Sequence, residues 1–360
     1  MLTKCFSTSF PQSTIEKVKD CLESGTLGFG PNVSLFEEKF AYLSRKKFNL
    51  GMNSASSAAY AIFHYLHKIY GECEIYTPSL AFVSPYWAAK KNGHSIVFVD
   101  VDDNFLFDVD DYLKKRKDNG KKKIVMPILY GGVSTVPKMN KLVGDEIVVV
   151  DSAHCITPTI ESDFMFFSFH PVKPMCMANG GMISTDNSVA DAFFQKYRNF
   201  GRVDKSAHTY DIVDDGFNFY MNNLNAAIGL SQFESAYENI VKRKRNFNMI
   251  KESLPEQKFV DHDQFSSYYL ATLKLDTVCS SDLRSVLRDA GLETSYHYPF
   301  LHMTSRYCRQ PESMNSKLRN TENHYDRFLN IPIHQNLNES EIEHMLGLLI
   351  HHLKDEEGGY

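Results

Sequence analysis

The stretch "EIVVVDSAHCITPTIESDFMFFSFHPVKPMCMANGG" (146–181) decides how this chain is read. It holds two near-continuous apolar runs, 147–150 and 164–169. Runs so dense in Val, Ile and Phe fit strands buried on both faces, as in a parallel sheet. Asp151 ends the first run, where a carboxylate is costly unless a cation meets it. Lys173 follows the second, between two prolines and in a loop poor in charge. Lysines usually sit on solvated helix faces beside other charges, so this one calls for an explanation.

The same alternation extends outward. Strand candidates lie at 73–79, 94–102, 122–130 and 180–186, with helix candidates near 55–69, 84–92, 107–117 and 187–198. Alternating β and α predicts an α/β fold with a mostly parallel central sheet flanked by helices. From 222 to about 254 the pattern is helical and long. A strand at 267–276, a helix at 280–291 with a Ser cap and a Gly stop, and an amphipathic closing helix at 339–355 follow. The expectation is a large α/β domain over 1–245 and a smaller α+β domain over 246–360. In open α/β sheets, ligands bind beyond the carboxyl ends of the strands.

Composition narrows the class. The chain has 360 residues, 43% hydrophobic and 23% charged, with net charge -5, which gives no support to general nucleic-acid binding. The basic run "KRKRN" (242–246) reads as a solvated helix face. Seven cysteines are scattered without a CxxC pair, so no zinc or redox motif is expected, and no metal site is assigned. No long apolar leader and no membrane span of about 20 apolar residues is visible, so a cytoplasmic location is expected.

Four strand ends carry candidate chemistry. "NSASSAAYAIFHYL" (53–66) opens an apolar helix with small hydroxyl residues. Free N–H groups, the positive dipole end and Ser54, Ser56 and Ser57 would cradle a phosphate; a plain Ser N-cap is the alternative. Phe82, in "YTPSLAFVSPYW" (76–87), would stack on a flat ring or pack in the core. Asp151 wants a metal, an Arg or a protonated ring nitrogen, and the absence of GxxxxGK[ST] argues against a Walker reading. His154 follows three residues on, with a core histidine as the bland reading. Ser168 would donate to a phosphate, and Lys173 in an apolar pocket near a cationic ring would become nucleophilic. A reactive lysine, a buried aspartate, an aromatic plate and a phosphate cradle, in this order, describe pyridoxal 5'-phosphate.

The chain resembles the DegT-type (StrS-like) sugar aminotransferases, fold-type-I pyridoxal-phosphate enzymes, from about residue 20 to its end. "SGTLGFGPNVSLFEEKFAYL" (24–43) is similar to the family's opening, "NSASSAAY" to "NSGTAAL", and "TPSLAFVS" to "PSYTFVAT". "VDSAH" resembles "EDAAH" and "FSFHPVK" resembles "FSFHPTK". The resemblance implies that Lys173 is the Schiff-base lysine, and that Asp151 meets the pyridine nitrogen. It places His154 near the phenolic oxygen and Phe82 on the ring face. "GFNFYMNNLNAAIGLSQFE" (216–234) resembles "GYNYRMSEIQAAIGLAQLE", which implies that Asn218 reaches the phosphate held by the neighbouring subunit of a homodimer with shared sites. "PILYGG" (127–132), "SYHYPFLH" (295–302) and "LNIPIH" (329–334) match further family landmarks. Departures are Tyr220 at a usual Arg, Asn223 at a usual Glu or Asp, Asn179 in place of the Glu of "EGG", and Ala55 in place of Gly.

Some relatives that remove a hydroxyl carry His in place of that lysine, so Lys173 favours transamination. The implied reaction converts a nucleotide-linked keto sugar to an amino sugar with glutamate as donor. The alternatives are a dehydratase, an aminotransferase on a non-nucleotide keto substrate, and a non-catalytic sugar or cofactor sensor. Loss of Lys173 or Asp151 would be the sign of the sensor, and neither is lost.

Overall fold

The computed structural model describes residues 2–142, 144–206, 209–276, 278–307, 309–310 and 317–354. Seven strands build the main sheet: β1 (Phe48–Met52), β2 (Glu74–Pro78), β3 (Ser95–Val99), β4 (Lys123–Val125), β5 (Ile147–Asp151), β6 (Phe164–Ser168) and β7 (Gly181–Thr185), in the order β1-β7-β6-β5-β4-β2-β3. Strands β6, β5, β4, β2 and β3 are mutually parallel. β7 alone runs against its neighbours, pairing antiparallel with both β6 and β1. The expected α/β class and strands are met. β1 was not expected: "FNLGM" is five residues long and carries Gly51, so its apolar signal is weak.

Helices α1 (Ser13–Glu23), α2 (Pro31–Ser44), α3 (Ala55–Tyr70), α4 (Val83–Lys91), α5 (Val109–Lys115) and α6 (Ser188–Tyr197) accompany the sheet. Two buried clusters result, one including Val150, Met165 and Phe167, the other Leu50, Val149 and Phe166. Successive residues of β5 and β6 thus feed opposite clusters, the period-2 consequence of a sheet covered on both faces. A hairpin, β8 (Arg202–Ser206) and β9 (Thr209–Ile212), stands apart from the main sheet.

Helix α7 (Asn223–Ser253) runs on into the C-terminal region, where β10 (Lys258–Phe259), β11 (Ala271–Lys274) and β12 (Phe328–Ile331) form an antiparallel sheet. With α8 (Ser280–Asp289) and the closing helix α10 (Glu339–Lys354) they enclose a third core that includes Ile250, Leu273, Leu329 and Leu349, while the short α9 (Arg319–Asn323) between them donates from Asn320 N and Thr321 N to the Asp100 carboxylate just beyond β3, at 2.9 and 2.8 Å. The chain's first residues join this region: Thr3 pairs with Leu292, and the Cys5 amide donates to Glu293.

Three details correct the sequence reading. The strand expected over 267–276 is limited to Ala271–Lys274. Helix α8 is not capped by a serine side chain; Ser280 is its first residue and donates to Asp326 at 2.6 Å. Within "KRKRN", Arg243 is buried, because it shares the helical stripe of Ala236, Asn239, Phe247 and Ile250; its Nε donates to Gln335 at 3.0 Å. The six described cysteines are free, and Cys308 lies outside the described residues. No described helix is long and apolar enough to cross a membrane.

Candidate active site

Asp151 is held at the carboxyl end of β5 by both neighbouring strands. Its N–H donates to Pro127 O at 3.0 Å, its carbonyl accepts from Leu129 N at 3.0 Å, and Ser152 N donates to Phe166 O at 2.9 Å. The side chain is 5% exposed and accepts only from Ala153 N, at 3.0 Å, among the described residues. Burial raises its carboxyl to about 6, against the pull of that N–H and of Lys173.

The lysine loop is pinned by its apolar members. Phe169 N donates to Gly180 O and accepts back from Met177 N through its carbonyl, at 3.0 and 2.9 Å. The Phe169 ring packs edge-on against Phe36 and Phe40, and Met175, Cys176 and Met177 are buried. The loop is poor in charge because it is anchored in the core. Lys173 N turns back to His170 O at 2.9 Å, and the side chain ends beside the Tyr269 ring, 4.4 Å from its centroid. No described residue accepts a hydrogen bond from Nζ. Burial lowers the amine from 10.5 to about 7, with Asp151 opposing. Near neutral pH a large share of Lys173 is therefore an unprotonated nucleophile.

Helix α3 supplies the third wall. Ser54 is its N-cap in extended conformation, and Ser54 Oγ accepts from Ser57 N at 3.1 Å in a reciprocal capping box. Ser54, Ala55 and Ser56 line the cavity. Ser57 does not; its hydroxyl donates to Asn53 Oδ1 at 2.5 Å. The cavity-facing hydroxyl and the capping box are thus split between the adjacent Ser56 and Ser57. Gly181 lets the strand approach this terminus: a Cβ there would lie 2.3 Å from the Ser54 carbonyl carbon.

The cavity holds about 310 Å³. Asp151, His154, Ser168, Lys173, Ser56 and Phe82 all face it. Phe82 is 54% exposed, so core packing does not explain it. His154 Nε2 lies 2.8 Å from Tyr298 Oη, while its buried Nδ1 has no partner. Burial first, then Lys173 and His297, hold the ring neutral. Asn218 is exposed and outside this cavity; its carbonyl accepts from Asn53 Nδ2 at 2.9 Å.

The structure adds Tyr269, His297 and Tyr298, which arrive from the C-terminal region. "SYHYPFLH" carried a usable signal for the last two; nothing in the sequence pointed to Tyr269. Two of the departures have structural tasks. Asn223 is buried, with Oδ1 accepting from Asn32 N at 2.8 Å and Nδ2 donating to Thr26 O at 2.7 Å, which ties α7 to the entry of α2. Asn179 caps its own loop through Gly180 N at 3.0 Å.

Comparison with known proteins agrees with this arrangement. The fold is that of an aminotransferase of Helicobacter pylori, PseC, involved in pseudoaminic acid biosynthesis (TM-score 0.92, 21% identity, 99% of this chain and 100% of that one). Among curated proteins the chain is similar to the UDP-4-amino-4,6-dideoxy-N-acetyl-beta-L-altrosamine transaminase of Campylobacter jejuni (26% identity; 97% of each). It is also similar to the spore coat polysaccharide biosynthesis protein SpsC of Bacillus subtilis (25%; 92% of each). The model of the DegT/DnrJ/EryC1/StrS aminotransferase family matches residues 9–349, nearly the whole chain, and the chain belongs to that family.

Proposed function

We propose that this aminotransferase uses pyridoxal 5'-phosphate to convert a nucleotide-linked keto sugar into an amino sugar, with glutamate as amino donor. One observation carries the reading: a buried lysine without an acceptor and a buried carboxylate with one donor face the same cavity. Their pKa values are displaced toward each other, to about 7 and about 6. The sugar class and its nucleotide come from the names of the relatives, one of which is a UDP-sugar transaminase.

The residues fit the cofactor. Lys173 would hold it covalently through Nζ, and Asp151 would meet the ring nitrogen. The α3 terminus with Ser56, backed by the Ser57 cap, and Ser168 would take the phosphate. Phe82 would cover one ring face. The unpartnered Nδ1 of His154 awaits a polar atom of the bound group. When bound, pyridoxal phosphate supplies an electron sink beside the amino group being transferred. Asp151 keeps a negative charge where a ring cation would otherwise be buried alone. Once the incoming amino group has displaced it, Lys173 Nζ would serve as the base that takes the proton from the donor's α-carbon, and in the second half-reaction as the acid that delivers one to the acceptor carbon. The apolar wall of Ile128, Phe166 and Val172 excludes water from that transfer.

The cavity wall of one chain carries Lys173 as its only lysine or arginine among the described residues, too few cations for an anionic donor and a sugar nucleotide. A homodimer in which Asn218 reaches the partner's phosphate site is part of this proposal, as are a cytoplasmic location and a division into domains 1–245 and 246–360. The C-terminal core supports a second unit there, with the chain's first residues joined to it through Thr3 and Cys5.

The deciding experiment is an absorbance spectrum of the protein with pyridoxal phosphate, before and after glutamate. A bound-cofactor band that bleaches with glutamate and is missing in Lys173→Ala is the expected result. A band that ignores glutamate would overturn the donor, and no band would overturn the function.

A further inference from the structure

Lys173 has one close partner the proposed chemistry does not use. Tyr269 lies with its ring 4.4 Å from Lys173 Nζ and 4.5 Å from the His154 ring. It is 2% exposed, and its hydroxyl has no hydrogen-bond partner. A buried tyrosine normally spends its hydroxyl on a partner; here the ring face alone is in use.

The fold goes to some length to place that ring. Tyr269 N and Leu270 N both donate to Gly131 O, at 2.9 and 3.0 Å, and Ser267 N donates to Gly132 O at 2.7 Å. Gly132 has φ +98, and a Cβ there would lie 2.9 Å from Tyr269 N and 3.0 Å from His154 O. Only glycine allows this docking, which explains the double glycine of "YGG". The preceding residue, Tyr268, sits at φ +46, a conformation a bulky side chain rarely adopts unless its surroundings impose it. Ser266 Oγ also donates to Gly132 O at 2.7 Å, and Ser267 Oγ accepts from Ile156 N at 2.9 Å.

We propose that Tyr269 is a positioning residue whose ring face holds the ammonium form of Lys173 in place, ready for release. A π face attracts a cation without a directional hydrogen bond, so it steadies the amine and lets it go. A fixed carboxylate at ion-pair distance would keep the proton and block the nucleophile. The titratable groups facing Nζ are Asp151, which favours the cation, and His154, His170 and His297, whose own protonation is disfavoured first by burial and then by Lys173. Tyr269 adds to the side of Asp151. This inference rests on the reading of Lys173 as the reactive amine.

The test uses the full chain without added cofactor. Lys173 is labelled with cyanate across pH 5–10, and its peptide is followed by mass spectrometry beside the exposed lysines. Removing the ring removes support for the charged form. The labelling midpoint in Tyr269→Leu and Tyr269→Met should therefore fall by about 0.5–1 pH unit, about 3- to 10-fold in proton affinity. Tyr269→Phe keeps the ring and should keep the midpoint. The same ordering should appear in the acidic limb of kcat/KM. An unchanged or raised midpoint in folded Leu and Met variants overturns the proposal, and so does an equal shift in Tyr269→Phe. Because labelling needs no cofactor, the two failures are distinguishable: a failed cofactor spectrum with a shifted midpoint would sink the proposed function and leave only the contact between ring and ammonium standing, whereas a bound-cofactor band with an unmoved midpoint would sink this inference alone.

Discussion

Two buried lysines sit at opposite ends of the same sheet, and they are treated differently. Lys123 opens β4 beside Glu74, its register partner at the start of β2. Its Nζ donates to Asn119 Oδ1 at 2.7 Å and Lys121 O at 2.6 Å, and lies 3.8 Å from Glu74. Glu74 in turn accepts from Tyr76 Oη and Asn119 Nδ2, at 2.9 and 2.8 Å. Lys173 and Asp151, at the carboxyl ends, are as deeply buried and almost unpartnered. A charge that serves the fold has its partners supplied by the fold. The pair proposed for chemistry is left short of them, and its pKa values move instead.

The sharpest way to break the contrast is to remove each lysine. Lys173→Ala should lower the rate of amino transfer by about 10³-fold or more, since both the nucleophile and the proton carrier go. Single-turnover measurement with glutamate reads it, and a loss under tenfold would end the assignment. Lys123→Ala should do the reverse. Leaving Glu74 buried without its cation should cost about 3–5 kcal/mol in urea unfolding, with turnover per folded molecule unchanged.

A smaller effect concerns pH. The folded value of Lys173, about 7, lies below its unfolded value of 10.5. The unfolded chain therefore holds more protons between these limits, and this lysine's contribution to stability improves as pH rises from 7 to 10.5. Lys173→Met should raise Tm most at or below pH 7 and hardly at all near pH 10.5. A gain that is flat with pH would mean that Lys173 is not held near neutrality. The smallest contrast is between two serines. Ser57→Ala should cost about 1 kcal/mol of stability, as the lost N3 half of the capping box, and leave cofactor affinity almost untouched. Ser56→Ala should weaken affinity about 3- to 10-fold, the worth of one hydrogen bond. Equal effects on affinity would show that the capping box and the cradle are one device.

Much of this was legible in the primary structure. Short dense Val, Ile and Phe runs alternating with helical patterns fit strands covered on both faces, so the parallel sheet was visible in β2 to β6. Asp151 and Lys173 were visible because each breaks the rule that buried segments exclude charge. β1 escaped because a five-residue edge strand with a glycine has little periodicity to read. Ser57 read as a ligand because capping and anion binding use the same residue types at the same place. Arg243 read as solvated because a charge run hides which of its members falls on the buried stripe.

By itself, the sequence determined the fold class, the order of the strands along the chain and the two buried charges to look for, Asp151 and Lys173, since these follow from local patterning and from the cost of burying charge. Tertiary structure alone decided how far the pair would be left unsatisfied and what would stand against it. Tyr269 lies 96 residues beyond Lys173. It reaches the amine only because a double glycine after β4 lets the C-terminal region dock within hydrogen-bond distance. No sequence period encodes such a contact, because it depends on the closure of one core against another.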